Sequence, residues 1–86
     1  MSTLETPEAR KVWFDDHRMF VELADDRQLG IPLTWFPRLL HATRAQREAV
    51  WISPGGLHWE EIDEDISVAG LIAGRGDMTN RPASAA

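Results

Sequence analysis

The residues best suited to chemistry in this chain lie between positions 53 and 67. A histidine beside carboxylates can act as a general base, and His58 lies two positions before a run of acidic residues. Ser53 and Ser67 supply hydroxyls that such a base could activate. Neither serine lies in a recognisable nucleophile motif, and Ser67 is better explained as a helix cap. We therefore predict no catalytic residue and a non-enzymatic protein, with His58 hydrogen-bonded to Asp63 or Asp65.

The acidic run places five carboxylates in the six positions from 60 to 65. Carboxylates are the ligands that hard cations such as Mg²⁺ or Ca²⁺ prefer. The spaced pattern and the glycine of a calcium loop are missing from this run. We therefore expect a helix-start cap and solvated surface, with no metal and no cofactor. A metal-binding or metal-dependent domain is the alternative, and its ligands would be Glu61, Asp63 and Asp65.

The arginines of the central segment suggest a further alternative, binding to nucleic acid. Arg38, Arg44 and Arg47 form a small basic patch, and Trp35 could stack on a base. Yet residues 12 to 74 carry eleven acidic side chains against five arginines and no lysine, a balance of −6. Nonspecific binding to a phosphate backbone depends on Lys and Arg. The charge therefore makes nucleic-acid binding by this domain alone unfavourable and favours a basic partner.

Length and composition set the class of protein. Eighty-six residues make one domain, and the absence of cysteine excludes a disulfide framework. No apolar run approaches the roughly 18 residues of a membrane span, and no basic segment followed by an apolar one begins the chain. We expect a cytoplasmic protein with no membrane segment.

The central segment, residues 34–43, has the pattern of an amphipathic helix. Thr34 can cap the first turn, and Pro37 falls within that turn, where its missing N–H loses no bond. A buried stripe is predicted from residues at three- and four-residue steps: Phe36, Leu39, Leu40 and Thr43. Residues 43–46 also have the Thr-x-x-Gln form of a capping box.

Strand patterns flank this helix. Alternating apolar residues predict strands at 11–14, 18–23 and 29–33, and a hairpin at 49–53 and 57–59. Ser67 and Gly74 can begin and end a second helix. The predicted fold class is α+β, a small antiparallel sheet (a meander of three strands plus a hairpin) covered by two short helices. We expect a flexible N-terminal arm at 1–11, a single domain at 12–74 and a disordered tail at 75–86.

Three segments resemble a known family: Phe36-Pro37-Arg38-Leu39, Gly56-Leu57-His58-Trp59 and Ile62-Asp63-Glu64-Asp65-Ile66-Ser67. Over about residues 12–74 the chain is similar to the short bacterial proteins catalogued as domain of unknown function 2442. The resemblance implies a small α+β domain.

In some longer relatives a helix-turn-helix DNA-binding domain follows, which we do not expect here. Members are often encoded beside another small protein, an arrangement that resembles a toxin–antitoxin pair. Relatives often have an Asp-Gly turn where this chain has Asp25-Asp26.

These observations lead to the hypothesis of a protein-binding module, one component of a bacterial two-gene regulatory or antitoxin-like system. Four tryptophans are many for a domain of this size, and we expect at least two in the core. Trp35 is the one expected at the surface, since tryptophan is enriched at interface hot spots. Self-association through open sheet edges into a homodimer is a further alternative. The residues assigned to the partner interface are Trp35, Arg38, His58, Trp59, Asp63 and Asp65.

Overall fold

The first part of the fold is an antiparallel meander. In the computed structural model, which describes residues 6–74, it consists of β1 (Ala9–Phe14), β2 (Arg18–Leu23) and β3 (Gln28–Pro32), in the order β1-β2-β3. The predicted alternation is confirmed: Met19, Val21 and Leu23 point to one face and are fully buried. β1 begins earlier than the domain boundary expected at 12, because Ala9 and Lys11 already pair with β2.

The turn between β2 and β3 uses aspartate in a conformation that usually favours glycine. Asp26 has φ 74°, in the left-handed region that Asp tolerates better than most residues. The Asp25 carboxylate accepts the Arg27 backbone N–H at 3.1 Å, and the Arg10 guanidinium donates to Asp26 Oδ1 at 2.7 Å. The departure from an Asp-Gly turn therefore leaves the strand pairing intact.

The central segment differs from the single helix expected at 34–43. Leu33–Trp35 is a 3-10 helix, and α1 is only Pro37–Leu40. The prediction that Thr34 caps a helix is wrong, because the residue before a proline is kept out of the α region and Phe36 is accordingly extended, at φ −132° and ψ 90°. Pro37 therefore becomes the first helical residue.

The predicted buried stripe is also only partly correct. Phe36 and Leu39 are buried, but the short α1 leaves Leu40 exposed at 37%. Thr43 caps the next helix, α2 (Arg44–Glu48), with both hydrogen bonds of the predicted capping box. The capping-box prediction is therefore confirmed.

A second antiparallel sheet follows, where a hairpin was expected. It consists of β4 (Trp51–Ser53), β5 (Gly56–Trp59) and β6 (Glu64–Ser67), in the order β4-β5-β6. β6 occupies part of the acidic run, which was expected to be a helix-start cap and solvated surface. The sequence of β6 does not show alternating apolar residues, because its two inward-facing residues are Ile66 and the charged Glu64.

The last helix, α3 (Val68–Ile72), begins and ends as the sequence predicts. The Ser67 hydroxyl accepts the Gly70 backbone N–H at 2.8 Å, and Gly74 has φ 80°. The expected tail at 75–86 and the first residues of the expected arm lie outside the described residues.

The two sheets share one hydrophobic core. β1 lies beside β4, which joins the meander to the second sheet, and α3, which follows β6, lies beside β3. The α+β class is confirmed, as two small sheets with three short α-helices in the described part of the chain. Within residues 6–74 no helix has the length and apolar character to cross a membrane. The second sheet contributes Leu57, Trp59 and Ile66 to this core, and α3 contributes Val68 and Leu71.

Candidate functional site

A row of three side chains crosses the outer face of the second sheet. Register pairs Trp51 of β4 with His58 of β5, and His58 with Asp65 of β6. Since neighbouring residues on a strand point to opposite faces, the buried Leu57 and Trp59 place this row on the outside. Trp51 is 48% exposed, and the Asp65 side chain is 74% exposed.

A chain of hydrogen bonds holds the middle of the row. His58 Nδ1 lies 2.7 Å from Asp65 Oδ1, and His58 Nε2 lies 2.6 Å from Ser53 Oγ. An ionised carboxylate can only accept, so the proton of the neutral imidazole lies on Nδ1. Nε2 is then the acceptor, and the Ser53 hydroxyl donates to it. The expected hydrogen bond from His58 to one of two aspartates is confirmed, and its partner is Asp65.

The position of the His58 ring is fixed by packing as well. The Trp51 ring stacks on it with centroids 4.3 Å apart and an angle of 29° between the planes. The ring also lies close to Gly56, where an added Cβ would be 3.1 Å from His58 Nε2 and 3.2 Å from the Ile66 carbonyl oxygen. A side chain at position 56 would therefore require the ring or the Ile66 backbone to shift by a few tenths of an ångström. Ser53 pairs with Gly56, which sets its hydroxyl diagonally opposite His58.

The acidic turn between β5 and β6 is held by Arg38. The Arg38 guanidinium donates to the backbone carbonyl of Asp63 at 2.9 Å and to Glu64 Oε1 at 3.1 Å. The Glu64 side chain is only 7% exposed, so this ion pair joins a surface arginine to a buried carboxylate. Asp63 adopts a positive φ of 55°, which the contact at its carbonyl helps to stabilise. Arg38 thus positions the turn that leads into Asp65.

The carboxylates of the metal alternative do not converge. In the described part of the chain no group of three or more His, Asp or Glu side chains is arranged to hold a metal ion. Glu61 accepts a hydrogen bond from Gln46 at 3.1 Å, while Asp65 contacts His58. The acidic run is therefore divided between a turn and a strand.

The residues assigned to a partner interface fall into four groups, of which Arg38 and Asp63, joined at the acidic turn, are one. Trp35 is exposed at 36% on the 3-10 helix, as expected. Trp59 is only 2% exposed and donates its indole N–H to the Arg47 carbonyl at 2.9 Å, so its assignment to a contact surface is wrong. His58 and Asp65 lie together with Trp51, which the sequence analysis did not single out. The sequence did hold one signal for Trp51: it lies in the short strand predicted at 49–53, shortly before a turn.

Most of the basic patch makes hydrogen bonds within the domain. Arg47 donates to the carbonyls of Leu39 and Leu40, both at 2.8 Å, at the end of α1. Since Arg38 is bound to the acidic turn, two of the three arginines make internal contacts. The geometry therefore gives little support to a phosphate-binding surface.

Comparison with known proteins places this module in a family. The model of the family described as Protein of unknown function (DUF2442) matches residues 9–77, and the chain belongs to that family. A crystal structure of a protein of unknown function from Rhodospirillum rubrum is 33% identical, with a TM-score of 0.75 over 87% of this chain and 95% of that one. An uncharacterised protein from Chromobacterium violaceum, solved by NMR in solution, is 27% identical, with a TM-score of 0.74 over 90% of this chain and 74% of that one. No curated protein matches the chain.

Proposed function

We propose that this domain binds a small protein partner through the outer face of its second sheet. The observation that carries the proposal is Trp51, which is 48% exposed on an edge strand. Tryptophan in a well-packed contact is among the residues that contribute most to protein association.

The Trp51 side chain is already held in place before any partner arrives. It stacks on His58, which is itself fixed by hydrogen bonds to Ser53 and Asp65. A partner would therefore bind a pre-ordered aromatic surface and lose less side-chain entropy on association.

Charge indicates the chemistry of that partner. Asp65 lies on the outer face, and Glu60, Glu61 and Asp63 are exposed in the neighbouring turn. Complementary charge accelerates association and disfavours wrong partners. The partner we infer presents Arg or Lys side chains around an apolar centre.

A two-gene regulatory or antitoxin-like system in the cytoplasm is the setting we propose for this interaction. It is supported by the family resemblance, in which members are often encoded beside another small protein. In such a system this module would recognise and bind its partner, and any regulatory effect would come through that partner.

The test is recovery of the partner from the protein's own cells. Tagged protein would be purified after nuclease treatment, and bound proteins would be quantified by mass spectrometry. We expect a stoichiometric small basic protein with the unaltered chain, at least tenfold less with Trp51→Ala, and full recovery with the control Trp35→Ala. Sedimentation of the purified chain alone separates partner binding from self-association.

Two results would contradict the proposal. Absence of any stoichiometric partner, including the products of neighbouring genes, removes the binding function. Loss with Trp35→Ala but not with Trp51→Ala moves the interface away from the second sheet.

A further inference from the structure

Ser53, His58 and Asp65 form a relay that none of the comparisons assigns. The Oγ–Nε2 distance of 2.6 Å and the Nδ1–Oδ1 distance of 2.7 Å are both within hydrogen-bonding range. The order is that of a nucleophile, a general base and a carboxylate that orients the base. With the imidazole proton on Nδ1, the basic nitrogen faces the serine hydroxyl.

The scaffold restrains this arrangement from several sides. The three residues come from three adjacent strands, so the sheet fixes their spacing. Trp51 stacks on the ring, and Gly56 leaves the room that the ring needs. Reactive side chains require this kind of support from packing and from neighbouring hydrogen bonds.

We propose that Ser53 is a nucleophile towards small activated esters, with His58 as its general base. Ser53 Oγ bonds to the ester carbonyl carbon as its proton passes to His58 Nε2. The ester C–O bond then breaks, and the leaving oxygen takes that proton. Water, deprotonated by the same nitrogen, releases the acid from the acyl-serine and restores the hydroxyl. Asp65 is a positioning residue that acts through His58.

The surroundings indicate the class of acyl donor. Ser53 is half-buried and the site lies on an open sheet face beside Trp51, so a small acyl group with an aromatic leaving group fits the geometry. The indole ring offers a stacking surface for that leaving group. This activity is independent of the proposed partner, because it needs only the side chains of one chain.

The experiment uses p-nitrophenyl acetate with the purified full chain. Nitrophenolate release is followed by absorbance, and the acetylated residue is located by peptide mass spectrometry. We expect acetyl on Ser53, loss of that label with Ser53→Ala, and a rate lower by about 100-fold or more with His58→Gln. Ser67→Ala is the matched control, since Ser67 caps α3, and it should leave Ser53 labelling unchanged.

Two further measurements separate chemistry from structure. Asp65→Asn should lower the labelling rate, and Asp65→Glu should restore part of it. Label only on lysine or the amino terminus, or a labelling rate unchanged by Asp65→Asn, would overturn the proposal.

Discussion

Individual residues in this fold have roles that depend on one or two atoms. Gly56 leaves space for the His58 ring, while Asp15 organises the first hairpin by accepting the backbone N–H groups of His17 and Arg18, both at 2.8 Å. Neither role is a matter of hydrophobic burial. Both can be tested by substitutions that alter a few atoms.

Adding a methyl group at position 56 should destabilise the domain and displace His58. An alanine Cβ would lie 3.2 Å from the Ile66 carbonyl oxygen, which is backbone and cannot move easily. We expect Gly56→Ala to lower the free energy of unfolding by about 1 to 3 kcal/mol, measured by thermal unfolding. Gly55→Ala is the matched control, because no atom lies within 4 Å of its added Cβ. Equal effects of the two substitutions would contradict this account.

The stability of the domain should fall in acid partly through Asp15. The backbone N–H groups of His17 and Arg18 hold the pKa of this carboxyl below its ordinary value of 3.8. A carboxyl with a lowered pKa in the folded state stabilises the fold above the ordinary pKa, and the contribution is lost as pH falls through the lowered value. Asp15→Asn should therefore flatten the dependence of unfolding on pH below about 4. Asp16→Asn is the charge-matched control, and an identical change with that variant would refute the assignment.

At the scale of elements, local rules predict much of this structure, and contacts between distant residues decide the rest. The capping box at Thr43, the Ser67 cap and the closing Gly74 follow from short motifs, and the meander follows from alternation. β6 could not be predicted in this way, because burial of Glu64 depends on Arg38, 26 positions away. The site shows the same division. A contact between His58 and an aspartate was predictable from the sequence, and Ser53 was one of two serines considered beside His58, whereas strand register is what selects Ser53 and adds Trp51.

The second sheet should depend on the contact between Arg38 and its acidic turn. Removing the guanidinium takes hydrogen bonds from the Asp63 carbonyl and from the buried Glu64 carboxylate. We expect Arg38→Ala to lower the free energy of unfolding in urea by about 1 to 3 kcal/mol. Arg44→Ala, an exposed arginine of α2, should change it by less than about 0.5 kcal/mol. Similar losses in both variants would show that net charge, and not this contact, is responsible.

In the whole molecule, the outer faces of the two sheets differ in how their aromatic residues are packed and exposed. On the first sheet Trp13 and Phe20 stack on each other with centroids 5.6 Å apart, and Lys11 lies over Trp13 at 5.3 Å. On the second sheet Trp51 stacks on His58 and is still 48% exposed, beside exposed acidic side chains. The second sheet therefore offers the more accessible surface for a partner.

The most direct test of this account is an NMR titration of the isotope-labelled chain with the purified partner. Each of the four tryptophan indole N–H groups gives its own signal and reports its own surroundings. We predict that the largest shifts fall on the Trp51 indole and on the backbone amides of β4 to β6, with the Trp35 indole unchanged. Shifts confined to Trp35 and α1, or to the first sheet, would contradict the central claim that the outer face of the second sheet is the binding surface.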